Sequence, residues 1–232
     1  MNYHETDPEF IERFEHFAFE EVPGEEGQSL DEADRYLAIL AALIGCQGKE
    51  AFAQMLPRAL EGGLTPVMVK ETVYQAADYV GFGRMLPFLD ITNDILQARG
   101  IKLPLEGQAT TTMEDRLEKG EQAQVAIFGE GMKGAWKKGH INRWLAANCF
   151  GDYYTRKGLD YRQREMITFC FLAAQGGCEP QLTAHSKGNM QVGNDQAYLI
   201  KVVSQCLPYI GYPRSLNAIA CVNRAAEEMK EG

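Results

Sequence analysis

Three side chains able to move protons or electrons, Glu165, Cys178 and His185, fall in the one stretch 164–193. Cys178 and His185 are seven residues apart, close to two helical turns, so a helix through both puts them on one face. Gly176 and Gly177 let the chain reverse ahead of that helix, and Glu165 lies near the start of the preceding one. A carboxylate, a thiol and an imidazole can then converge. Such a set supports general acid/base chemistry or thiolate chemistry.

Each of these residues also has a plain structural reading. Cys178 can be an inert buried thiol. Its place at a helix start, near an imidazole, favours a lowered thiol pKa and reactivity. His185 can be a satisfied core histidine, and Glu165 can pair with Arg164 or cap its helix. Gln181 is either a polar spacer or a hydrogen-bonding group for a ligand. Cys170, eight residues before Cys178, fits a core position on an apolar helix better than a resolving thiol.

The elements that must hold these residues all read as helices. Start signals, apolar spacing and glycine stops predict helices near 8–17, 31–44, 49–60, 65–80, 84–98, 111–128, 141–155, 161–175, 180–191, 195–210 and 213–229. Thr65-Pro66 is the clearest start, a cap followed by a first-turn proline. Thr111-Thr112 reads as a cap, 20–29 as an acidic linker, and Pro57 as a kink or break. No stretch sustains the period-two alternation of a half-buried strand, so the fold class is all-α.

Composition narrows the function classes. The chain has 232 residues and a formal charge of −9, which argues against nucleic-acid binding. Its polar, acidic start is unlike a signal peptide, and no apolar run is long enough to cross a bilayer. Six scattered cysteines without a Cys-x-x-Cys predict reduced thiols, a cytoplasmic location, and no zinc or other metal. No cofactor is expected. The basic cluster Lys133, Lys137, Lys138 and His140 around Trp136 reads as solvated surface.

The two halves of the chain resemble each other. At an offset of 130, Gly63, Val73, Gln75, Tyr79, Gly81, Arg84, Leu86 and Asn93 match Gly193, Val203, Gln205, Tyr209, Gly211, Arg214, Leu216 and Asn223. Arg35 matches Arg164 at 129, which implies a one-residue length difference between Gly48 and Gly63. Recurrence of this arginine favours a structural salt bridge in both halves. The partition expected is an N-terminal helix and linker (1–29), a first copy (30–107) and a second copy (108–232). First-half counterparts of Glu165, Cys178 and His185 are Tyr36, Gly48 or Lys49, and Met55 or Leu56. None can do the same proton chemistry, so the second copy carries the site, and the first supplies packing and one candidate wall of a pocket.

Arg164-Glu165, the glycine turn, Cys178-x-x-Gln181-x-x-x-His185, Gly193 and Tyr209-Ile210-Gly211-Tyr212-Pro213 resemble the carboxymuconolactone decarboxylase family. The resemblance implies the AhpD-like helical fold in two tandem copies. It also implies a thiol-dependent peroxidase-like activity, with Cys178 as nucleophile, Glu165 and His185 as proton relay, and an external thiol reductant. Gln181 replaces the second cysteine of the peroxidase motif, so no disulfide closes within the motif. The alternatives are a lactone-processing decarboxylase using His185 as general acid/base, and a non-catalytic scaffold. Substrates implied are a peroxide or a small carboxylic acid or lactone. The family's six-fold packing of single domains implies a homotrimer of this two-copy chain, with a dimer as the alternative.

Overall fold

The structure, a computed structural model, describes residues 3–231, which are helical throughout apart from turns and loops. The main helices are α1 (Pro8–His16), α2 (Glu32–Gly45), α3 (Lys49–Glu61), α4 (Pro66–Val80), α5 (Phe82–Ala98) and α6 (Arg116–Phe128). They continue with α7 (His140–Trp144, prolonged as π-helix over Leu145–Tyr154), α8 (Tyr161–Gln175), α9 (Glu179–Gln191), α10 (Gln196–Ile210) and α11 (Tyr212–Glu231). Among the described residues there is no strand, and no helix is long and apolar enough to cross a membrane.

The central pair is α2 against α8, each buried on nearly every side. Leu37–Ile44 and Met166–Ala174 are buried along both and form the main core with α3, α4 and α10. A helix buried on nearly every side must be enclosed by others, and here α2 and α8, repeat counterparts, pack against each other. A second, smaller core of Ala123, Ile127, Cys149, Phe150 and Tyr154 joins α6 to α7. Those helices approach closely because neither crossing point has a side chain. A Cβ on Gly120 would lie 1.7 Å from the Ala146 carbonyl oxygen, and one on Gly151 2.1 Å from that of Arg116.

Polar bonds across the copies fix their pairing. Arg164, fully buried on α8, donates to Gln75 Oε1 (2.8 Å) and Glu71 Oε2 (3.1 Å) on α4. Arg35 on α2 donates to Gln205 Oε1 (2.8 Å) on α10. The arginines are repeat counterparts, and so are the glutamines. Among the described residues the expected salt bridge exists for Arg164 but not for Arg35. Lys201 stands where the repeat would need a carboxylate matching Glu71, so Arg35 takes an amide and the Ala18 carbonyl instead.

Several boundaries differ from expectation. The chain stays helical through Gly24 instead of opening into a linker at Glu20. Pro57 is accommodated inside α3. Asp115, not the threonine pair, precedes α6, its carboxylate accepting from the Thr112 backbone. The one-residue length difference lies just before Gly48, not after it. Asp31 and Asp160 cap α2 and α8 at an offset of 129, while Gly48 and Cys178 precede α3 and α9 at 130. The extra residue lies in the helix: α8 has 15 residues and α2 has 14, while the connections 46–48 and 176–178 are equal in length.

Candidate active site

Glu165 and His185 meet as expected. Asp160 starts α8 with a full capping box with Gln163, which places Glu165 in the second turn, fully buried. The turn at Gly176 and Gly177, both with φ of +71°, returns the chain so that α9 packs along α8. His185 Nδ1 then lies 2.9 Å from Glu165 Oε2. Asn189, one turn further along α9, donates to the backbone carbonyls of Glu165 and His185, both at 2.8 Å, and ties the two helices at this point. Gly188 makes room: a Cβ there would lie 2.7 Å from Glu165 Oε2 and 2.6 Å from Phe128 Cε1.

The other carboxylate oxygen is occupied too. Tyr154, at the end of the π-helical segment, donates to Glu165 Oε1 at 2.7 Å. Its hydroxyl also meets Thr168 Oγ1 at 2.7 Å and Tyr79 Oη at 2.9 Å. Tyr154 has one proton, and it goes to the carboxylate, so Tyr79 and Thr168 donate to Tyr154. Burial pushes both phenols well above their ordinary range. They act as fixed donors, not as acids. The imidazole is held edge-on between Tyr79 (5.6 Å) and Phe128 (5.4 Å). With a carboxylate on Nδ1, that nitrogen carries the proton and Nε2 presents its lone pair. Among the described residues Nε2 has no hydrogen-bond partner.

His185 opens onto a cavity of about 600 Å³ between the main core and the smaller one. Its walls are largely apolar, with Tyr79, Phe128, Leu145, Phe150 and Leu172 contributing. Cys178 and Gln181 line the same cavity. Asp78 and Tyr79 come from α4, so the first copy does supply one wall.

Cys178 behaves differently from expectation. It stands at the N-cap of α9, but its side chain accepts no capping hydrogen bond. The thiol points to the Leu172 carbonyl oxygen at 3.4 Å. Burial pushes the thiol up, with the Glu179 carboxylate adding to this and the Gln175 amide and Arg214 opposing it. Desolvation of a thiolate outweighs the helix-start field. No hydrogen bond joins Cys178 to His185 among the described residues. Cys170 is buried in the core, 4.0 Å from Cys206 Sγ. Trp136 of the basic cluster donates to Glu121 at 3.1 Å.

Sequence reasoning missed Asp78, Tyr79 and Gln124 around the His185 cavity, and Tyr154 and Thr168 behind Glu165. Only Tyr79 had shown itself, as a repeat identity. Asp78 carried a readable signal, since its repeat counterpart is Pro208. Among the described residues no group of three or more His, Cys, Asp or Glu is placed to hold a metal ion.

The family model for "Carboxymuconolactone decarboxylase family" matches the chain twice, over residues 8–94 and 140–224. No curated protein sequence matches it significantly. The two matches cover well over half of the chain and place one copy on each side of the α6 region, so this two-copy, all-α protein belongs to the carboxymuconolactone decarboxylase family.

Proposed function

We propose that the chain is an enzyme that moves protons on a small carbonyl compound of the lactone type, with His185 as general acid/base. The observation that carries this reading is the 2.9 Å bond between His185 Nδ1 and buried Glu165 Oε2, beside a cavity. Nε2 takes a proton from carbon next to the carbonyl, and the electron pair moves to the carbonyl oxygen. The imidazolium formed is stabilised by Glu165, which Tyr154 holds in place. The proton then returns at another carbon of the enolate; for a substrate that loses carbon dioxide instead, His185 first takes a proton from solvent and delivers it to the enolate that remains. Deuterium exchange of a butenolide's α-protons, followed by NMR, tests this. Wild type and Cys178→Ser should catalyse it, and His185→Ala should not. No catalysis by wild type, or catalysis that survives His185→Ala, refutes it.

A thiol peroxidase is the second reading, favoured by the placement of Cys178 in the same cavity as His185. The thiolate attacks one peroxide oxygen, the O–O bond breaks, and the leaving alkoxide takes the proton from His185. The resulting sulfenic acid is reduced by two equivalents of an external thiol, which leave as disulfide. Turnover of cumene hydroperoxide with dithiothreitol that disappears in Cys178→Ser selects this reading. Both readings suit a homotrimer. Repeat-related apolar pairs, Phe82 with Leu86 and Tyr212 with Leu216, are exposed on α5 and α11 and favour association. A mass of a single 25.9 kDa chain in light scattering excludes it.

A further inference from the structure

Charge is spread unevenly along the chain. Residues 3–26 hold nine carboxylates against one arginine, so with neutral histidines this segment alone carries −8 of the chain's −9. Residues 130–143 have the opposite sign, with Lys133, Lys137, Lys138 and Arg143 against Glu130. These four cations are exposed, and none stands in a salt bridge among the described residues. Both segments also hold apolar side chains in water. Phe10 on α1 is 69 % exposed, and Ile141 and Trp144 on α7 are 67 % and 56 % exposed. Ile141, Trp144 and the exposed Leu145 fall at the i, i+3, i+4 spacing of one helix face. An aromatic and aliphatic cluster ringed by charges of one sign marks a surface for a partner.

Both surfaces are preformed. Glu121 on α6 fixes the basic segment by accepting from the Gly134 N–H (2.5 Å) and the Trp136 indole (3.1 Å). The N-terminal helix is held by its inner side, with Phe14 edge-on to Tyr209 at 6.0 Å and Arg58 over Phe19 at 4.4 Å. Glu9 and Glu12 are left exposed on α1. We propose that the basic face of α7 and the loop before it dock the acidic N-terminal segment of a second copy of this chain. The inference rests on the association proposed above, adds which faces meet, and is independent of the reaction. Every chain offers one face of each sign, so the contact is heterologous and a ring of chains closes it. The apolar cluster supplies affinity, and the opposed charges supply orientation and encounter rate. An anionic lipid surface would also attract the four cations, but the rest of the chain repels it. Leu145 and Met132 line the His185 cavity as well, so the docked segment stands at the rim of that cavity.

The test is carbodiimide cross-linking of the full chain, which joins an amine to a carboxylate without a spacer, and mass spectrometry of the covalent dimer. Linked peptides should join Lys133, Lys137 or Lys138 to carboxylates of residues 3–26, and should be absent from the cross-linked monomer. In light scattering, Lys137→Glu with Lys138→Glu should weaken association at least about tenfold, and so should Trp144→Ser. All three side chains are exposed, so the variants should keep the helical circular dichroism of wild type. Raising salt from about 0.1 M to about 1 M should weaken wild type too, because the screening length falls from about 10 Å to about 3 Å. A monomeric wild type overturns this inference and the proposed association together. An oligomer whose links avoid these two segments, or that both variants leave intact, overturns this inference alone. A monomer that sediments with phosphatidylserine vesicles through Trp144 gives the face to a membrane and overturns it as well.

Discussion

Replacing Gly188 by Ala sets two effects of known size against each other. In a helix interior the change favours folding by about 1 kcal/mol, because alanine loses less backbone entropy. Against this, the new Cβ would lie 2.6 Å from Phe128 Cε1 and 2.7 Å from Glu165 Oε2. Both are well inside the roughly 3.5–4.0 Å of favourable carbon contact. Neither neighbour can yield freely. Glu165 is held through one oxygen by Tyr154 (2.7 Å) and through the other by His185 (2.9 Å), and Phe128 lies edge-on to Phe150 and His185. Overpacking of this kind costs about 1–3 kcal/mol, so the net loss of stability should be about 0–2 kcal/mol. Activity should fall far more, on the order of 100-fold, because a displacement of Glu165 re-aims the imidazole. Urea denaturation and butenolide exchange measure the two effects. A variant that gains stability with an unchanged exchange rate would show that Gly188 does not shape the site.

Other perturbations read different parts of the same network. Glu165→Gln keeps the shape but turns an N–H toward either Tyr154 or His185; exchange should fall by about 10- to 100-fold as one charge-assisted bond is lost, with little loss of stability. Equal activity would mean that Glu165 serves packing alone. Cys178 should alkylate slowly at pH 7 and speed up only above the ordinary thiol range, because burial raises it; fast reaction at neutral pH restores the peroxidase reading. Asp78 is raised in the folded protein, from 3.8 to about 7, so the native state holds its proton more tightly than the unfolded state does. That stability is present below about pH 4 and is lost as pH rises through about 7. Asp78→Asn should therefore gain on the order of 2–4 kcal/mol over wild type at pH 8 and nothing at pH 4, in paired urea titrations. An equal gain at both pH values refutes the assignment.

The helices and the Glu165–His185 pair were legible because both depend on local sequence. Apolar spacing fixed which faces are buried, and seven-residue spacing put Cys178 and His185 over one cavity. What could not be read depends on where other elements end up. Tyr154 reaches Glu165 from a π-helical segment, whose register shift leaves no mark in helical periodicity. Thr168 is one turn from Glu165 on α8, yet its role appears only once Tyr154 is in place. The raised thiol of Cys178 has a similar origin. A helix start and an imidazole are visible in sequence, while the desolvation that outweighs them comes from packing.

The two copies retain the same hollow but not the same chemistry. In the first copy, Met55 stands at the position of His185, Tyr36 at that of Glu165 and Gly48 at that of Cys178. A cavity of about 410 Å³ lies there, lined by Met55, Arg58 and Tyr209, with Phe14 and Phe19 covering it. Tyr209 is the counterpart of Tyr79 and comes from the second copy, as Tyr79 comes from the first. Arg58 occupies the position of Gly188 and stacks over Phe19 at 4.4 Å, filling the space in which Glu165 and His185 meet in the second copy. The N-terminal helix here takes the place of α7, since the two family matches begin at residues 8 and 140. Each cavity therefore borrows its third-helix wall from the other copy, and the crossed bonds from Arg164 to Gln75 and from Arg35 to Gln205 hold both walls in position. The first copy is then not dispensable to the proposed site. It places Tyr79 edge-on to His185 and Asp78 at the same cavity, and a second copy alone would keep the imidazole and its carboxylate but lose that wall of the cavity.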